Sequence, residues 1–209
     1  TSNRQLIIVK IYYGLEEYKT VKNPVVTTGT FDGVHLGHRK LINRLKEIAS
    51  AIEGETVILT FSPHPRLVLF PDDNNLRLLN TLEEKLQLFN ASGVNHLIIL
   101  PFTKEFSRLS SAEYVRDILV NKIGTKKLVI GYNHQFGRNR VGSFEHLIEY
   151  GFTYGFEVEE ISALDINNVN ISSTKIREAL LMGDMETALK YLGYEYTLSG
   201  KVVQSNKLG

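Results

Sequence analysis

Five apolar runs alternate with stretches of helical period along the chain, and this alternation limits the fold more than any other feature. The runs are PVVTT (24–28), TVILTF (56–61), HLIIL (96–100), KLVIG (127–131) and EVEEI (157–161). Short apolar runs bounded by turn residues read as buried strands. After Gly37, Leu41, Ile42, Leu45, Ile48, Ala49 and Ile52 follow the helical period of about 3.6 residues. Thr81 with Glu84, and Ser110 with Glu113, form capping boxes that open two more helices, the first closed by Gly93. Ser143 is expected to cap a helix through Tyr150. Ser173 or Thr174 caps another, ending near Gly183, and Asp184 opens a last one, ending near Gly193. Strands alternating with helices predict an α/β fold, with right-handed crossovers and a mainly parallel sheet covered by helices on both faces. Residues 194–209 read as a strand with a polar tail and no core of its own.

With 209 residues, 43% of them hydrophobic, the chain can bury one sizeable core. The charge balance, 24 basic against 23 acidic residues, provides no basic excess for nucleic acid or anionic lipid. No cysteine is present, which excludes disulfides, thiolate nucleophiles and cysteine-ligated zinc. No apolar run is long enough to cross a membrane, and no signal peptide is read at the start. A cytoplasmic protein is expected.

In an open parallel sheet, ligands bind at the carboxyl ends of the strands, and the unusual residues fall there. GTFDGVHLGH follows the first run and SPHPR the second. GYNHQFGRNRVG follows the fourth, and NISSTKIR the fifth. Gly29 and Gly33 permit a close backbone approach, and Gly37 starts a helix whose free N–H groups favour phosphate. His35 and His38, three residues apart, can donate to that anion and stabilise charge in a transition state. A metal site on the two histidines is the weaker alternative, because no acidic helix partner accompanies them. Asp32 either caps the turn or serves a metal or phosphate site. Ser172, Ser173, Thr174, Lys175 and Arg177 offer a second anion site, against the plainer reading of a serine cap with solvated basic residues. His64 is held rigidly between two prolines. Asn133 can hydrogen-bond a ring, Phe136 can pack on one, and Arg138 and Arg140 can meet phosphates. No chemistry is assigned to His96 or His146, and no metal ligands are read from the sequence.

Together these segments resemble the N-terminal FMN adenylyltransferase module of the bacterial bifunctional riboflavin kinase/FAD synthetase family. The resemblance runs from GTFDGVHLGH through FSPHPR and VIGYNHQFGRNRVGSFEHL to ISSTKIREALLMGDMETALKYLG, nearly the whole chain. It implies a Rossmann-like nucleotidylyltransferase fold over residues 1–193, with 194–209 as the start of a riboflavin kinase barrel otherwise absent. The implied reaction is ATP plus FMN giving FAD and pyrophosphate, with Mg²⁺ on the triphosphate. Implied catalytic residues are His35, His38 and Arg177. Gly29, Thr30, Phe31, Asp32, Gly33, Gly37, Gly131, Ser172, Ser173 and Thr174 join them in binding ATP. Ser62, His64, Pro65, Arg66, Asn133 and Phe136 form the flavin side. Asn133 stands where the family often has aspartate. Segment 66–79 is expected to be a mobile flap over the flavin. Riboflavin kinase activity is expected only of a longer parent chain. The rival readings are another H-x-G-H adenylyl- or cytidylyltransferase, acting on nicotinamide mononucleotide or pantetheine phosphate, and a non-catalytic flavin-binding domain.

Overall fold

The computed structural model describes residues 8–72, 76–132, 134–138, 141–161 and 171–201. Six strands form one sheet: β1 (Lys10–Tyr13), β2 (Val25–Thr28), β3 (Thr56–Ser62), β4 (His96–Pro101), β5 (Lys127–Gly131) and β6 (Glu157–Ile161). Every pairing is parallel, in the order β1-β4-β3-β2-β5-β6. All five expected strands are therefore present. The sixth, β1, pairs Lys10 with His96 and Tyr13 with Ile99 at the sheet edge. It is short and mostly exposed, so it lacks the buried apolar run that identifies the others.

Helices connect the strands: α1 (Leu36–Ala51), α2 (Pro65–Leu69), α3 (Leu82–Ser92), α4 (Ser111–Glu113), α5 (Phe144–Tyr154), α6 (Ser173–Met182) and α7 (Met185–Leu192). A π-helix, Tyr114–Lys122, continues α4 directly. Both capping boxes form, and Gly93 closes α3 in the left-handed region at φ 73°. The cap of α6 is Ser172, just before the expected Ser173 or Thr174. Helix α5 runs past Tyr150 to Tyr154. Gly151 does not stop it, because this glycine makes room for the Phe156 carbonyl, which a Cβ would strike. Residues 194–201 carry no strand. A lone strand has no ladder partner to satisfy its backbone, and Tyr194 and Tyr196 instead pack on Leu79, Ile176 and Leu192.

The period-two alternation within the strands fills both faces of the sheet. Val25, Ile58, Leu97 and Val129 face α1 and α3, packing with Ile42, Leu45, Ile48 and Phe89. Val26, Val57, Leu59, Ile98, Leu128 and Ile130 face the other way, against Val115, Leu119 and Leu147. Burial on both faces explains why the runs are continuous rather than alternating. Strand β2 lies between β3 and β5, so the chain leaves it in one direction for β3 and β4 and returns on its other side for β5 and β6. The loops after β2 and β5 therefore diverge, and the crevice between them is where such a sheet binds ligands.

Candidate active site

The chain leaves β2 through a strained turn. Gly29 N–H donates to the Leu59 carbonyl at 3.0 Å. Phe31, Gly33 and Val34 then take positive φ, at 49°, 82° and 34°. For a β-branched valine this is costly, and such strain is held only where the surroundings impose it. At Gly33, with φ at 82°, a side chain would be strained, and a Cβ would also push on Leu79 Cδ1 from 2.6 Å. The turn places Asp32 and His35 inward, with exposures of only 2% and 5%.

His35 is the N-cap of α1, and its Nδ1 accepts from the His38 N–H at 3.4 Å. The two rings stack at 3.7 Å between centroids, 16° from parallel. Burial holds His35 down to about 4, and Asp32 offsets this only in part. Burial, then His35 and Lys85, hold His38 well below the usual imidazole range. Both imidazoles are therefore neutral at neutral pH. With Nδ1 of His35 accepting, its proton sits on Nε2, a donor for an anion. His38 Nδ1 is buried with no hydrogen-bond partner.

This burial gives a signed pH dependence. A histidine held near 4 in the fold and near 6.5 when unfolded favours folding fully above pH 6.5, and the benefit is lost as pH falls to about 4. From His35 alone the loss is on the order of 3 kcal/mol. Unfolding midpoints across pH 4–7 are expected to fall less steeply in His35→Gln than in the wild type. Equal slopes would show that His35 does not titrate this way.

Asp32 is the hub of the site. One carboxylate oxygen accepts from the Leu79 N–H at 2.9 Å, the other from Arg177 Nη2 at 2.8 Å. Its carbonyl accepts from Ser173 Oγ at 2.9 Å. Asp32 thus clamps α6 to the turn. Arg177, a solvated basic residue only on the plainer reading of this segment, has a side chain 16% exposed and also donates through Nε to the Arg77 carbonyl at 2.7 Å. Among the described residues two of its five N–H groups are used by protein. Ser172 Oγ accepts from the Lys175 N–H at 3.3 Å, and Thr174 and Lys175 are exposed.

On the other side of the crevice, His64 caps α2 and accepts from the Arg66 N–H at 3.2 Å. Burial lowers its pKa, and it lies in the field of Asp32, Lys85, Arg177 and Arg66. Ser62 is half-buried, Pro65 begins α2 and Arg66 is exposed. Helix α2 occupies the start of the expected flap, whose centre, 73–75, lies outside the described residues, as does Asn133. Gly131 ends β5, with open space where its Cβ would be. Phe136 corrects an expectation: its ring is 7% exposed and packs on Tyr114 at 5.9 Å, so it belongs to the core and offers no face to a flavin. Leu67, Leu69 and Phe70, 38%, 46% and 60% exposed, supply the apolar surface beside His64 instead.

Lys85 was not anticipated. It is buried on α3 with Nζ donating to the Thr30 carbonyl at 3.0 Å. The signal was present, because Lys85 follows Leu82 by three residues and precedes Phe89 by four, within the apolar stripe. Among the described residues no three histidine or acidic side chains gather as a metal cage. A surface cavity of about 390 Å³ lies between α1 and β6, lined by Lys40, Arg44 and Glu159 among others, and contains none of these site residues.

The family profile described as FAD synthetase matches residues 17–175, from before β2 into α6. The chain belongs to the FAD synthetase family. Two bifunctional riboflavin kinase/FMN adenylyltransferases agree with this. The one from Buchnera aphidicola subsp. Schizaphis graminum is 36% identical over 203 residues, covering 96% of this chain and 65% of its own length. The one from Escherichia coli strain K12 is 35% identical over 185 residues, covering 88% of this chain and 59% of its own. The chain therefore spans about three fifths of the length of these relatives. A crystal structure described as a macrolide-efflux protein from Streptococcus pneumoniae superposes with a TM-score of 0.79 at 28% identity, covering 91% of this chain and 61% of that one. No described helix is long and apolar enough to cross a membrane.

Proposed function

We propose that this FAD synthetase domain is an FMN adenylyltransferase, taking ATP as its magnesium complex and FMN, and releasing FAD and pyrophosphate. The observation that carries the reading is the convergence, at one sheet crevice, of the buried histidine pair, the Asp32–Arg177 clamp and His64 beside exposed apolar residues. In the reaction an FMN phosphate oxygen attacks the α-phosphorus of ATP. A new P–O bond forms as the bond to the β-phosphate oxygen breaks, and pyrophosphate leaves with the electron pair. No protein nucleophile is needed, so catalysis is positioning and charge stabilisation. The neutral imidazoles donate to the α-phosphate without adding charge that the empty site would have to solvate. The N-terminus of α1 adds free N–H groups and its dipole. The remaining N–H groups of Arg177, with Ser172 and Thr174, face the leaving pyrophosphate. The divalent ion comes in on the triphosphate, since Asp32 is already committed to Arg177 and the Leu79 amide.

His64 and Arg66 meet the flavin side, and Leu67, Leu69 and Phe70 offer a surface that an isoalloxazine would cover. This last point favours a flavin over nicotinamide mononucleotide or pantetheine phosphate. We assign the transferase to residues 1–193. The kinase half of the relatives' name belongs to the part of their length that this chain does not span, toward which 194–209 lead. The isolated chain should convert FMN and Mg-ATP to FAD, read by chromatography of the flavin products. Turnover of nicotinamide mononucleotide or pantetheine phosphate with no FAD would remove the flavin assignment.

A further inference from the structure

The Asp32–Arg177 pair balances its own charge, but Lys85 is left with an unmatched one. Its side chain is buried, at 8% exposure, and its one hydrogen-bond partner among the described residues is the Thr30 carbonyl. That carbonyl also accepts from Thr60 Oγ1 at 3.2 Å, so it is saturated by two donors. An ammonium has three N–H groups, and two remain. The carboxylate in its field, Asp32, is already bound by Arg177 and the Leu79 amide. His38 and His64, which feel its charge, are held below the usual imidazole range and bring no negative charge. One carboxylate thus faces two cations, Arg177 partly exposed and Lys85 buried, and an unmatched buried cation is costly unless an anion arrives.

We propose that Lys85 is a phosphate-binding residue of the nucleotide site, its ammonium meeting a phosphoryl oxygen of the bound substrate while holding the Thr30 carbonyl. The inference rests on the reading of this crevice as a nucleotide site. Its position supports it, since the Thr30 carbonyl that it holds immediately precedes the turn that carries Asp32 and His35. The Thr30 bond fixes where the charge stands. A solvated lysine at the rim would not be so fixed, and would lose more rotamer freedom on binding.

The test is calorimetric binding of Mg-ATP, inorganic pyrophosphate and FMN to wild type, Lys85→Met and Lys85→Gln, with unfolding midpoints alongside. Glutamine keeps a donor for Thr30 without the charge. Both variants are expected to lose on the order of 10- to 100-fold in affinity for at least one of these ligands. Loss for ATP and pyrophosphate places the contact on the triphosphate, and loss for FMN places it on the flavin phosphate. Wild-type affinities for all three, or recovery in Lys85→Gln alone, would overturn the proposal, the latter by leaving only the tether to Thr30. If the variants do not fold, the Lys85 Nζ resonance of the ¹⁵N-labelled wild-type protein decides. Added pyrophosphate or FMN should shift it and slow its proton exchange, and an unmoved signal under both overturns the proposal. The two readings fail separately. Lysine-dependent ATP binding without FAD formation removes only the FMN assignment, whereas FAD formation with unaltered binding by the variants removes only Lys85.

Discussion

Replacing Arg177 by alanine is expected to destabilise the fold as well as slow the reaction. The change leaves Asp32, 2% exposed, with its carboxylate buried and its ion pair gone. Removing one partner of a buried pair costs about 3–5 kcal/mol. At about 2–4 °C per kcal/mol for a domain of this size, the midpoint should fall by roughly 6–20 °C. In Arg177→Ala/Asp32→Asn the uncompensated charge is removed and much of the stability should return. On the proposed reading activity should not return with it, because the double variant still lacks the guanidinium assigned to the pyrophosphate. There the expected loss is about 10²–10³-fold in kcat/KM, judged from comparable charge-stabilising donors. Arg177→Lys should recover only part, since an ammonium cannot serve Asp32, the Arg77 carbonyl and a phosphate with the geometry of a planar fork. Thermal unfolding and kinetics in both directions check this. An unchanged midpoint in Arg177→Ala would mean that the pair contributes nothing to the fold.

His38→Ala is expected to act on the chemical step with little effect on stability. Its Nδ1 is buried without a partner, so the fold loses no hydrogen bond at that atom. The proposed contact of His38 with the α-phosphate should strengthen as charge builds up in the transition state, so kcat should fall by about 10²–10³-fold while ATP affinity changes little. Steady-state kinetics with direct ATP binding separates the two quantities. A weakened affinity with kcat unchanged would make His38 a ground-state contact only.

The parts of the fold legible in the sequence were those written in local periodicity. Val25 to Thr28 and the other buried strands, the stripe from Leu41 to Ile52, and the boxes at Thr81 and Ser110 need only near neighbours to be read. His35 and His38 were legible for the same reason, being three residues apart on one turn. What stayed hidden depends on partners far along the chain. Nothing near Asp32 indicates that Arg177, 145 residues away, will take its carboxylate. Phe136 reads as an available aromatic until Tyr114 is seen against it. Strand β1 was missed because an exposed edge carries no apolar signature. Lys85 is the instructive omission, since a cation inside an apolar stripe conflicts with its local pattern, and such conflicts gather at functional sites.

The bonds that finish the site join residues far apart in the order of synthesis. Ser173 and Arg177 reach Asp32 across 141 and 145 residues, and the Tyr194 hydroxyl donates to the Gly33 carbonyl across 161. Contacts of such separation form late. A chain emerging from the ribosome therefore displays its histidine turn long before the residues that fasten it exist. At roughly 5–20 residues per second, Arg177 follows His38 by about 7–28 s. For that interval the nascent chain holds two imidazoles on a turn whose fastening residues are not yet made, and the proposed nucleotide site is incomplete. On the proposed reading, competence to bind arrives only with α6 and α7, so ligand binding would report that synthesis has passed α7.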